Sequence, residues 1–149
     1  MFNFSLESVL NHRRLVEENI QKELALLQMS LVDERNILRT YEETRKKLVG
    51  EFQCKQKKGT TISNAFLYLP FIDRVSMDID KQKKTVLEFE EKVEKKRLEL
   101  VEASKKKKTM EKLKEKALNT YKQGLIKTEQ DFLNEVGVIK SNRKLRQER

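Results

Sequence analysis

Residues 6–52 read LESVLNHRRLVEENIQKELALLQMSLVDERNILRTYEETRKKLVGEF, and alternating steps of four and three residues from Leu6 trace one line through them. The line visits Leu6, Leu10, Arg13, Glu17, Ile20, Leu24, Leu27, Leu31, Glu34, Leu38, Tyr41, Arg45, Leu48 and Phe52, of which ten are apolar. A period of 3.5 residues keeps a narrow stripe on one side of a slightly underwound helix, so the stretch predicts one arm of a coiled coil. Ser5 suits the N-cap, Glu7 favours the first turn through the helix dipole, and Phe4 is spaced to staple onto Val9.

The pattern falters at Gly50, and residues 55–64 (KQKKGTTISN) mix basic residues, glycine, threonine and capping residues, which reads as a reversal loop. From Ala65 the same stepping gives Tyr68, Ile72, Val75, Ile79, Gln82, Val86, Phe89, Val93, Lys96, Leu100, Ala103, Lys107, Met110, Lys114, Ala117 and Tyr121. Only Gln82, Lys96, Lys107 and Lys114 break the apolar run. The series Leu118, Leu125, Phe132 and Ile139 then takes over one position out of phase, as a four-residue stutter would cause. Helix 1 is expected over about 5–53, the loop over about 54–64 and helix 2 over about 65–140. Pro70 forbids an uninterrupted helix, which predicts a short helical piece at about 62–68 and a kink or fresh helix start at the proline.

Two stripes joined by a short loop bury each other only by folding back. The expected fold is therefore all-α: a single domain over 1–149 in which two long helices form an antiparallel coiled coil, the second helix longer and overhanging. At about 1.5 Å per residue the first helix is ~70 Å long and the second ~110 Å, so about thirty C-terminal residues overhang. They keep an apolar stripe of Leu125, Phe132, Val136 and Ile139 that the hairpin does not cover, and an uncovered stripe asks for another protein.

Composition agrees. With 37% apolar, 7% aromatic and 38% charged residues, one Pro, four Gly and no Trp, the chain cannot fill a thick globular core but favours long helices. The lone Cys54 makes no internal disulfide and lacks metal-binding neighbours, so it reads as an incidental thiol near the turn. The start Met1-Phe2-Asn3-Phe4 has no basic n-region, and no apolar stretch reaches the ~18 residues of a spanning helix. A cytoplasmic protein without membrane insertion is expected. The net charge of +9 is uneven: residues 1–54 hold eight Lys/Arg against nine Asp/Glu, so the second part carries all the excess.

No catalytic constellation emerges. His12 lies beside Arg13 and Arg14 with no Ser, Cys or second His at a catalytic spacing, and reads as a surface histidine. Gly50, Gly59, Gly124 and Gly137 are isolated and none precedes a Lys-Ser/Thr pair, so there is no phosphate loop. Glu42/Glu43 and Glu90/Glu91 sit among lysines, where pairing one helical turn away accounts for them. The run Lys105–Lys108 and the basic end 140–149 are suited to phosphates. Four successive lysines on a helix point in all directions, however, and no aromatics are interleaved for base stacking, which favours a solvated face over a nucleic-acid contact. No enzyme activity, cofactor, metal or small-molecule substrate is expected.

Two segments carry a family resemblance. Phe4-Ser-Leu6-Glu-Ser-Val9-Leu10-Asn-His-Arg13 with Glu17-Glu18, and Tyr68-Leu-Pro-Phe71-Ile72-Asp-Arg-Val75-Ser-Met-Asp-Ile79, resemble the opening and second-helix signatures of the FliJ family of flagellar type III export proteins. Length, basic charge, loop position and the overhanging second helix agree, so the resemblance covers the whole chain. It implies a stalk-like, non-enzymatic part of the export machinery, needed for flagellum assembly and motility and peripherally associated with the inner membrane. Implied partners are the export ATPase hexamer, the cytoplasmic domain of the membrane export gate, and export chaperones.

On this resemblance the gate-contacting positions are Phe71, Leu38, Tyr41 and Val75, while Glu34, Arg45, Asp78 and Gln82 share the patch but differ from the residue types expected, as does Pro70 beside Phe71. Leu38, Tyr41 and Val75 also fall on the seam, where packing alone accounts for them. Phe71 lies one step off it and suits an exposed anchor. The overhang supplies the ATPase-ring candidates Leu125, Phe132, Arg143, Lys144 and Arg146. Two alternatives stand beside this reading: the equivalent stalk of a virulence secretion system, and a generic coiled-coil scaffold or nucleic-acid tether.

Overall fold

A computed structural model describes residues 1–59 and 62–148. Three helices are present: α1 over Glu7–Lys57, α2 over Ile62–Phe66 and α3 over Tyr68–Gln147. α1 and α3 pack against each other antiparallel, and α3 is the longer. The described residues contain no strand.

The helix ends follow local chemistry. α1 opens with a backbone turn, Glu7 N–H to the Phe4 carbonyl at 3.1 Å and Leu10 N–H to the Leu6 carbonyl at 3.0 Å, with the acid of Glu7 in its first turn. It continues past Gly50 to Lys57 and is closed by Gly59, whose φ of 71° is the left-handed geometry that ends a helix and suits glycine. The Lys58 and Gly59 N–H groups satisfy the carbonyls of Cys54 and Gln56. Of the expected loop, Thr60 and Thr61 lie outside the described residues. Pro70 is the third residue of α3, two positions inside the helix start. The first-turn amides have no partner within the helix, so proline gives up no hydrogen bond there. α3 runs to Gln147 rather than about 140, because residues 140–147 are mostly good helix formers and Lys144 and Arg146 complement the helix dipole without a seam to pack on.

The chain divides into two compact units, Met1–Glu17 with Ala103–Arg149, and Glu18–Glu102. In the first, Leu10 is fully buried, Ala103 is nearly so, and Phe2 meets Tyr121 with ring centroids 5.5 Å apart. In the second, Leu24 and Leu31 of α1 and Ile79 and Val86 of α3 form the buried core, and Phe52 meets Tyr68 at 6.3 Å. Every described side chain of the α3 series from Tyr68 to Tyr121 is buried or half-buried. On α1 only Leu6 and Arg45 of the stepped series are exposed. The side chain of Ala65, where the second series starts, lies outside the described residues.

Candidate functional site

The four breaks in the α3 stripe turn out to be paired. In the first unit Lys114 Nζ reaches Glu7 at 2.9 Å and Lys107 Nζ reaches Glu17 at 2.9 Å. In the second, Lys96 Nζ binds Glu23 at 2.7 Å and Glu99 at 2.9 Å. There the Gln82 side-chain amide also donates to the Glu34 carbonyl at 2.9 Å and to its carboxylate. Each cation or amide of α3 thus meets a glutamate of α1. Of these three ion-paired glutamates only Glu17 is buried, and there a displaced partner leaves a desolvated charge that penalises misalignment, whereas Glu7 and Glu23 stay partly solvated. The hydrogen bond from Lys107 is the main cause holding the Glu17 carboxyl below its ordinary range, against the opposing effect of burial, and Ser104 adds a second donor. The same bond raises Lys107. Within the lysine run, then, Lys107 turns into the seam while Lys106 and Lys108 stay exposed.

The mid-helix candidates fall into two classes. Leu38, Tyr41 and Val75 are half-buried on the seam. Phe71 is 61% exposed, one residue after Pro70 in the first turn of α3. It lines an open groove of 530 Å³ with Leu48, Lys55, Leu67 and Tyr68. Lys55 lies over the Tyr68 ring, 4.7 Å from its centroid, and its hydrogen bond to Tyr68 raises its pKa. Phe71 is therefore set beside Leu48 and Tyr68, in a groove that includes neither Leu38 nor Tyr41. Glu34 and Gln82, two of the departures from the expected patch, hydrogen-bond each other, while Arg45 is exposed and Asp78 half-buried.

In the first unit, α3 continues beyond Tyr121, the last residue of its seam series. Leu125 and Phe132 are 53% and 62% exposed, and Ile126, Leu133 and Ile139 are similarly open. Residues 118, 125, 132 and 139 share one face, with 126 and 133 beside them. Ile126 and Leu133 escape the stepping rule because they fall between its positions; a count of apolar neighbours one residue on would have found them. Arg143, Lys144 and Arg146 are exposed in the last turns.

Among the described residues no three His, Cys, Asp or Glu side chains gather as metal ligands, and no helix is long and apolar enough to cross a membrane. Cys54 is exposed. The family model described as "Flagellar FliJ protein" matches residues 2–146. Comparison with curated proteins and with solved structures brings no match.

Proposed function

This chain belongs to the flagellar FliJ family, and from that premise we propose that it is a non-catalytic stalk of the flagellar export apparatus, coupling the export ATPase ring to the export gate and assisting export chaperones. The observation that supports the coupling role most is the uncovered apolar face of α3 beyond Tyr121, built from Leu125, Phe132 and their neighbours and followed by Arg143, Lys144 and Arg146. A contiguous exposed apolar face on a helix is energetically costly unless a partner covers it. Insertion into the ATPase ring would cover it, with the basic last turns meeting acidic groups. Exposed Phe71 supports a second contact, with the cytoplasmic domain of the gate, since a few aromatic anchors carry most of the energy of an interface. Leu38, Tyr41 and Val75 enter that contact only as the packing that holds the helices beneath it. The function places the protein in the cytoplasm, at the membrane only through its partners.

The test is co-precipitation of the export ATPase and of the gate's cytoplasmic domain with the full chain, together with ATP hydrolysis measured with and without it. Binding of both with stimulation of hydrolysis is expected. A chain that binds neither would remove the coupling role.

A further inference from the structure

Within the unit Glu18–Glu102 lies a second open groove, of 570 Å³, between α1 and α3. Its floor is aliphatic: Ile79 is 3% exposed and Val49 is half-buried. Its rim is cationic, because Arg45, Lys46 and Lys83 all line it and are all exposed. None of the three forms an ion pair or hydrogen bond among the described residues. Glu42 is the one acid in the lining, so positive charge is in excess.

Gly50 also lines this groove. Glycine inside a helix weakens it relative to alanine, so its presence calls for a reason. The chain's own packing supplies none: a Cβ built at Gly50 meets nothing within 4 Å. A backbone or side chain approaching from outside would use the space. Arg45 points the same way, since it occupies a seam position on α1 and yet stands exposed at the rim.

We propose that this groove docks an acidic, helix-forming segment of a partner protein, which lays an apolar side chain against Val49 and Ile79 and sets carboxylates beside Arg45, Lys46 and Lys83. A furrow between two helices accepts an amphipathic helix by the same geometry that packs helices on each other. The rim charges select the sign of the partner's flanks. A nucleic acid fits less well, because the lining has no aromatic residue for a base to stack on and the phosphate backbone has nothing to place on an aliphatic floor. The inference is independent of the stalk assignment and of the ring contact, and the groove shares only Arg45 with the patch that the family resemblance gives to the gate.

The experiment is fluorescence anisotropy of a labelled peptide of leucine and glutamate at amphipathic helical spacing, titrated with the full chain. Three controls accompany it: the same peptide with lysine for glutamate, the same with alanine for leucine, and a labelled single-stranded DNA. Binding of the Leu/Glu peptide at least about tenfold tighter than any control is expected, with a loss of about tenfold or more in Lys83→Glu and in Gly50→Leu. Lys83 is exposed, so its variant carries the test even if Gly50→Leu perturbs α1. No binding of the Leu/Glu peptide would overturn the proposal, as would DNA binding of equal strength or equal binding of the alanine peptide, which is bare charge attraction. Retention of full affinity in a folded Gly50→Leu variant would also overturn it, because the groove would then not be the site.

Discussion

Glu17 joins a buried carboxylate to a lysine, and the direction of its titration follows. Its pKa in the folded chain lies below the ordinary value of 4.5, chiefly through the Lys107 hydrogen bond. A group so lowered contributes stability that is fully present above pH 4.5 and is lost as the pH falls through the folded value. The substitution Glu17→Gln removes the charge and keeps the size. Thermal melts of the parent and the variant should therefore differ by a constant interval at neutral pH that closes as the pH drops below 4.5, and an interval that widens in acid would mean the carboxyl is not charged in the fold. Lys107 is raised and works in the opposite sense, its contribution being lost as the pH climbs past 10.5. Phe71→Ala tests the other residue-scale feature. A side chain 61% exposed should leave stability within about 1 kcal/mol by urea denaturation. Gate binding should weaken by about 2 kcal/mol, roughly thirtyfold. If the variant instead melts early and binds the gate normally when cooled, Phe71 is packing.

At the scale of the helices, two glycines of α1 and its cap separate propensity from geometry. Gly50 sits in the helix with open space where its Cβ would be, so Gly50→Ala should stabilise the chain by about 0.5–1 kcal/mol. Gly59 has equally open space but a φ of 71°. There Gly59→Ala should destabilise by about 1–2 kcal/mol, because a Cβ crowds the left-handed backbone. Urea denaturation of the two variants reads the opposite signs, and equal signs would contradict the assignment of Gly59 as the helix cap. On sequence alone Gly50 reads as the end of the pattern, because glycine punctuates chains on average. The structure ends α1 at the glycine whose neighbours supply capping hydrogen bonds, a distinction that composition does not carry. Pro70 was legible as a helix start to within two residues, since any first-turn position tolerates the missing amide.

Taken whole, the fold was legible because one stripe period runs through α1 and α3 and each helix needs the other to bury it. The pairs at Gln82, Lys96, Lys107 and Lys114 were not legible, although their glutamates stand in the sequence. A single-helix stripe count scores a lysine as a break, and only cross-helix register turns it into a contact. The candidate site was legible only as far as exposure goes: an outward Phe71 or Leu125 states that something is uncovered and is silent on what covers it. A double variant of the overhang tests that distinction. Leu125→Asp with Phe132→Asp changes two residues that are more than half exposed, so the melting temperature should stay within about 3 °C of the parent, while stimulation of ATP hydrolysis by the export ATPase falls. A large drop in melting temperature would mean that the overhang is packed in solution.

The glutamates at seam positions also bear on how the chain is made. α1 precedes α3 in the chain, so its leucine stripe leaves the ribosome before α3 exists to cover it and is open to another copy of itself. In a parallel, in-register pair of such copies Glu17 would face Glu17 and Glu34 would face Glu34, like charges in a drying seam. Only the second half of the same chain arrives bearing Lys107 and Gln82 at the matching heights. The carboxylates that interrupt the stripe thus disfavour a parallel pair of α1 helices and are matched by α3 of the same chain.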